Sequence, residues 1–226
     1  MDALTYILLD EVIDEVLTLK GEIFKYLIKV RRHGVGDEIA LRYKDELSIL
    51  HRYEISELQN RSVTLQRISS KEYKIESEKK LHIGWCIIDS KSIEKVLPSL
   101  SEIGVDKISF ISCDRTQKNF KLDFKRFERI LEASMQQCGR SSYIEFETCK
   151  NIEEFITNYP DTKVFDFCDN ILEGDSDFQT VLIGCEGGFS SSEKEFLQTQ
   201  EVFRLNTKMI LRSESAVMAV ASKILL

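Results

Sequence analysis

The chain has 226 residues, 42% of them apolar, and 38 acidic against 31 basic side chains for a formal net charge of −7. That is enough apolar material for one large core or two modest ones, and the acidic balance argues against a purely electrostatic nucleic-acid binder. No apolar run approaches a membrane span and the acidic N-terminus does not read as a secretion signal, so a soluble cytoplasmic protein with no membrane partner is expected.

Residues 1–70 read as strand-rich, with short apolar stretches at 6–9, 38–41, 47–50 and 63–68, turn signals at His33-Gly34 and Gly36-Asp37, and one helix over about 21–30. This pattern predicts a small β-barrel-like domain. A charged stretch without apolar periodicity, 69–80, reads as the linker. From Leu81 strands and helices alternate. Strands are predicted at 81–88, 107–111, 143–146, 163–167, 180–183 and 202–205. Helices are predicted at 92–103 (ended by Gly104), 123–138 (capped by Asp123, ended by Gly139), 152–158, from about 192 with Ser191 as cap, and 213–226. Such alternation predicts an α/β domain with a mostly parallel sheet covered on both faces.

The six cysteines (86, 113, 138, 149, 168 and 185) form no C-x-x-C pair and only three histidines are present, so no metal site is expected and the thiols read as free. Between Val105 and Arg140 eight basic residues face five acidic ones, which by itself reads as a solvated helix face.

The densest signal is late in the chain. The apolar run 181–183 leads into Gly184-Cys185-Glu186-Gly187-Gly188-Phe189-Ser190. A buried strand ending in a glycine-rich turn lets a ligand approach the main chain, and in open α/β sheets ligands sit beyond the carboxyl ends of the strands. The loop has no Gly-Lys-Ser/Thr of a phosphate-binding loop, no G-x-G-x-x-G spacing and no G-x-S-x-G elbow. Its charged residue is an acid, Glu186, which suits a cationic or neutral ligand better than a phosphate. About twenty residues on stands Leu205-Asn206-Thr207-Lys208-Met209-Ile210-Leu211-Arg212-Ser213-Glu214-Ser215-Ala216.

Together these segments resemble the paired signatures of the RsmE family of ribosomal RNA uridine methyltransferases, within the SPOUT superfamily: I-G-P-E-G-G-(F/L)-S-x-x-E, then L-G-x-x-(I/V)-L-R-x-E-T-A. Ser101-Glu-Ile-Gly-Val105, Asp114-Arg115, Glu132-Ala133 with Gln136-Gln-Cys-Gly-Arg140, and Lys29-Val-Arg-Arg-His-Gly-Val-Gly-Asp37 resemble further family segments, so the likeness spans nearly the whole chain. Cys185 stands for the usual Pro, Asn206 for Gly, Ser215 for Thr, Met209 where Arg is frequent, Gln136 for an acid, and Thr5 where the family has an N-terminal Arg.

The resemblance implies a trefoil-knotted methyltransferase domain over 81–226, a PUA-like RNA-binding barrel over 1–70, and an active homodimer. It implies methyl transfer from S-adenosylmethionine to N3 of a uridine in 16S ribosomal RNA, met within the small subunit. A methyltransferase of another RNA, such as a transfer RNA ribose, and a non-catalytic RNA-binding relative are the alternatives. Expected to hold the cofactor are Phe167, Ile183, Gly184, Glu186, Gly187, Gly188, Leu205, Asn206, Met209, Ile210 and Leu211, largely through main-chain groups. Uridine N3 must lose its proton before it attacks, which needs a cation for the developing anion and a route for the proton. Arg212 is the candidate cation, and Glu186 or Glu214 the candidate to handle the proton or orient Arg212. Arg31, Arg32, Arg115, Gln137 and Arg140 are the candidate RNA contacts.

Overall fold

The computed structural model describes residues 5–11, 14–116, 120–173 and 178–226. The chain divides into two units: residues 1–76 with 135–142, and residues 77–134 with 143–226.

The first unit is a five-stranded sheet built from β1 (Ile7–Leu9), β2 (Val16–Lys20), β3 (Glu38–Tyr43), β4 (Glu46–Leu58) and β5 (Ser62–Glu72), in the order β1-β3-β4-β5-β2. The β1–β3 pair is parallel and the rest antiparallel. Period-two alternation decides which side is core: Ile39 and Leu41, Tyr53 and Ile55, Val63 and Leu65 point inward. Helix α1 (Gly21–Lys25) and the π-helical turn that follows it (Tyr26–Val30) cover that face with Phe24 and Leu27. Register shifts at Arg52/Tyr53 and Ile55/Glu57 bend the long strand β4, which curls the sheet. Among the described residues the sheet stays open, with β1 and β2 as its edges.

Two sequence expectations change here. Strand β2 was not foreseen; its partner in the sheet is the distant β5, with Val16 opposite Gln66. The stretch expected as linker from Ser69 begins as the end of β5, because β4 is long enough to pair with it as far as Glu72.

The second unit is an all-parallel six-stranded sheet. Its elements in chain order are β6 (His82–Cys86), α2 (Ser90–Ile103), β7 (Lys107–Ile111), α3 (Phe124–Cys138), β8 (Glu145–Cys149), α4 (Ile152–Asn158), β9 (Lys163–Phe165), β10 (Thr180–Ile183), α5 (Ser191–Phe196), β11 (Val202–Phe203) and α6 (Ser213–Leu225). The strand order is β11-β9-β10-β6-β7-β8. Central strands buried on both faces need continuous apolar runs. Every residue of β6 is buried, and Gly84 is small because Phe155 of α4 lies on it: a Cβ there would sit 2.4 Å from the ring. The Asp89 carboxylate caps α2 by accepting from the Ser92 amide at 3.0 Å, and Gly104 ends that helix.

The chain starts in β6, runs outward through β7 and β8, then crosses back so that β10 lies against the other side of β6. The order therefore reverses between β6 and β10, and a crevice opens beyond the carboxyl ends of strands at such a point. Several boundaries move from the sequence reading. Strand β8 starts at Glu145, β9 stops at Phe165 and β11 stops at Phe203. The cap of α5 is Ser190, one residue before the expected Ser191, because Glu193 completes a capping box with it.

Candidate active site

Three segments meet beyond the carboxyl ends of β9, β10 and β11. The first is the glycine loop. Leaving β10, the chain turns at Cys185 to Gly188, where the Gly188 amide donates to the Cys185 carbonyl at 2.9 Å. Gly188 takes φ +64°, a conformation that an L side chain adopts only with strain, and this turn needs it. Ser190 then caps α5: its hydroxyl accepts from the Glu193 amide at 3.2 Å, while the Glu193 carboxylate accepts from the Ser190 amide at 2.7 Å.

The second segment connects β11 to α6. A tight turn closes between the Thr207 amide and the Leu205 carbonyl at 2.8 Å, and the Thr207 hydroxyl accepts from the Met209 amide at 3.1 Å. Arg212 occupies the N-cap position of α6 with no side-chain cap bond. In the first turn of α6, the Ser213 hydroxyl accepts from the Trp85 indole at 2.9 Å and donates to the Gly184 carbonyl at 2.6 Å. One serine thus fastens the two segments together across a buried tryptophan. The third segment is residues 165–167 at the end of β9, where Asp166 forms an ion pair with Lys194 at 2.7 Å.

These segments enclose a cavity of about 180 Å³. Its floor is largely apolar, from Phe165, Phe189, Ala216 and Val220, and its rim carries main-chain groups and Glu186. Phe167, Met209 and Ile210 are 75%, 74% and 83% exposed, so they form an apolar lip rather than core. Cys185 is a buried wall: hydrogen bonding to Cys113, 3.5 Å away, and then burial hold its thiol well above the ordinary range. It fills space as a small apolar group and stays protonated.

Of the residues expected to hold a cofactor, Phe167, Ile183, Gly184, Glu186, Gly188, Leu205, Met209, Ile210 and Leu211 line this one cavity. Gly187 and Asn206 do not line it: the Gly187 carbonyl is turned to Arg115 and Asn206 is exposed. Among the described residues, the side chains of Arg212 and Glu186 have no hydrogen-bonding partner, and both are exposed. Glu214 is half-buried in the first turn of α6, with its Oε2 buried and, among the described residues, unpaired.

Of the candidate RNA contacts, Arg31, Arg32, Gln137 and Arg140 belong to the first unit and Arg115 to the second. Arg31 is exposed and lies over the Tyr26 ring at 5.5 Å, with its Nε on the Tyr26 hydroxyl at 2.9 Å. Arg32 is exposed with φ +62°, and Gln137 is exposed. Arg140 is only 5% exposed; its Nε donates to Ser142 at 3.2 Å and its carbonyl accepts from the Tyr6 hydroxyl. Its side chain is thus buried in this fold. Arg115 donates to the Gly187 carbonyl. Sequence reasoning missed Ser213, Trp85 and Thr207. The chain's single tryptophan on a central strand was the only signal available for the first two.

Among the described residues no cluster of metal-ligating side chains occurs, and no helix is long and apolar enough to cross a membrane. A model of the RNA methyltransferase domain matches residues 75–225, which contain the whole cavity. A Helicobacter pylori protein named ribosomal RNA small subunit methyltransferase E is 36% identical over 213 residues, covering 92% of this chain and 94% of that protein. A Borreliella burgdorferi protein named ribosomal RNA small subunit methyltransferase E 2 is 25% identical over 217 residues, covering 89% and 87%. The chain belongs to the ribosomal RNA small subunit methyltransferase E family. Its fold is shared with the family member from Neisseria gonorrhoeae solved with S-adenosylmethionine, at a TM-score of 0.73 and 18% identity over 96% of this chain and 95% of that one.

Proposed function

We propose that this protein transfers a methyl group from S-adenosylmethionine to N3 of a uridine in 16S ribosomal RNA, working in the cytoplasm as a homodimer on the small ribosomal subunit. The observation that carries the reading is the closure of two segments, about twenty residues apart in sequence, onto one cavity through the Ser213 hydroxyl. The names of the relatives supply the RNA, and the Neisseria structure supplies the methyl donor.

The residues present suit that donor. Loops at Gly184 to Gly188 and Leu205 to Leu211 bring main-chain groups to the cavity for an adenine edge, and the apolar floor takes the ring face. The exposed Glu186 carboxylate at the rim complements a sulfonium cation. When bound, the donor supplies an electrophilic methyl group. What remains for the protein is to hold the uridine in line and help N3 lose its proton. Arg212, without a partner among the described residues and adjacent to the cavity wall at Leu211, stabilises the developing negative charge on the uracil. Glu186 lines the cavity and takes the proton directly or through water. Glu214, in the first turn of α6 with its Oε2 buried and unpaired among the described residues, is the alternative proton acceptor.

A trefoil knot in the domain from Leu81 onward fits the strand order: β10 is inserted between β9 and β6, β11 lies beyond β9, and α6 returns to pack on α2. The curled sheet of the first unit, with Arg31 and Arg32 exposed beside it, is read as a PUA-like module that holds RNA.

Nucleoside mapping of 16S ribosomal RNA from a deletion strain tests the reading. Loss of one 3-methyluridine, restored by the purified protein with labelled donor, is the expected result. Its persistence overturns the proposal, and loss of a ribose-methylated transfer RNA nucleoside instead would favour the alternative substrate.

A further inference from the structure

The turn after β7 is fastened to the glycine loop at both ends of that loop. The Asp114 amide donates to the Glu193 carboxylate at 2.8 Å, and the Asp114 carboxylate accepts from the Ser190 hydroxyl at 2.5 Å and from Ser192 at 3.2 Å. These bonds fix the far end, where α5 begins. At the near end the Arg115 guanidinium donates to the Gly187 carbonyl, and its stem lies against Gly187, 3.2 Å from where a Cβ would stand.

We propose that Arg115 is a positioning residue of the cofactor loop and not a contact to nucleic acid. The inference rests on the reading that this loop binds S-adenosylmethionine. A pocket built from main-chain groups works only if that main chain is held. Two consecutive glycines, Gly187 and Gly188, give the turn its shape but lose the most conformational freedom when ordered. A charge-assisted bond to the Gly187 carbonyl, with an aliphatic stem covering the glycine, limits that freedom before the ligand arrives. The Glu193 carboxylate does the same at the other end, accepting from the amides of both Asp114 and Ser190. Gly187 thus contributes to the pocket without lining it: its carbonyl is the handle by which the turn after β7 holds the loop.

A loop clamp and an RNA contact differ in what their loss changes. A guanidinium on a phosphate contributes about one unit to the slope of log affinity against log salt concentration. A guanidinium that stays on a carbonyl of its own chain and touches no phosphate leaves that slope unchanged. Arg115→Ala and Arg115→Lys are compared with the wild type by calorimetric titration with S-adenosylmethionine, and by the salt dependence of binding to isolated small ribosomal subunits. The expected result for Arg115→Ala is cofactor affinity weakened on the order of tenfold with an unchanged salt slope, and partial recovery in Arg115→Lys. Undiminished cofactor affinity in Arg115→Ala, or a salt slope lower by about one, overturns the inference. A wild-type chain that fails to bind S-adenosylmethionine removes the reading beneath it. Wild-type binding that survives Arg115→Ala unchanged removes this inference alone.

Discussion

The two ends of the six-stranded parallel sheet are built on opposite principles. At the amino-terminal end, buried and half-buried polar side chains satisfy one another. Lys107 meets Glu147 at 2.7 Å and Tyr159 at 2.9 Å, Tyr159 donates to Glu147 at 3.0 Å, Ser109 donates to Glu147, and His82 meets the Ser109 hydroxyl at 2.5 Å. At the carboxyl end, Arg212 and Glu186 stand free among the described residues, one carboxylate oxygen of Glu214 is buried without a partner, and Met209 and Ile210 expose apolar surface. A closed network contributes to one native structure. Groups left open at the mouth of a cavity are available to a ligand, and their incomplete pairing is tolerated where function requires it.

The contrast predicts which changes move activity and which move stability. The largest effect belongs to the open end. Arg212→Ala lowers turnover by about 10²–10³-fold, the loss found when a donor aimed at developing charge is removed. Cofactor affinity and melting temperature stay within a few-fold and a few degrees of the wild type. Steady-state kinetics paired with calorimetry checks this, and unchanged turnover strips Arg212 of its role.

The closed end answers to pH. Burial first, and then the nearby Lys107, hold the His82 imidazole down to about 4 from an ordinary 6.5, against the opposing pull of Glu147. The folded protein therefore keeps His82 neutral over a range in which the unfolded chain takes up a proton. The stability this confers is complete above about 6.5 and is lost as pH falls towards about 4, by at most about 3 kcal/mol. Thermal melts across that range should fall more steeply for the wild type than for His82→Gln. Parallel curves would show that the histidine is not the titrating group.

A smaller effect lies at the bridge between the ends. Ser213→Ala leaves the Trp85 indole and the Gly184 carbonyl without their shared hydroxyl, at a cost of about 1–3 kcal/mol. The emission of Trp85, the chain's single tryptophan, should change with it, because the indole loses its acceptor. An unshifted spectrum and melting temperature would mean the serine ties nothing together.

Much of the cavity end is legible in the sequence. The glycine loop and the segment Leu205 to Ala216 announce themselves because their requirements are local: a positive φ at Gly188, a capping box at Ser190 and Glu193, a helix start after Arg212. What escaped was non-local. Strand β2 pairs with residues nearly fifty positions away, so its short run carried no signal of a partner. The burial of Arg140, the turn of Arg115 towards Gly187 and the bond from Trp85 through Ser213 to Gly184 depend on which strands become neighbours. No pattern within a dozen residues encodes that. The ends of β9 and β11 moved for a related reason: Phe167 and Leu205 are apolar enough to extend a strand on paper, yet here they line the cavity.

The central claim is that the loops beyond β9, β10 and β11 form a pocket for S-adenosylmethionine shaped by main-chain atoms. Calorimetric titration of the wild type and of Gly188→Val, a side chain that strains the left-handed turn without meeting any neighbour within 4 Å at its Cβ, tests it most directly. The account predicts saturable binding by the wild type with one molecule per chain, weakened on the order of tenfold or more in the variant. Absence of saturable binding by the wild type, or equal affinity in the variant, would contradict it.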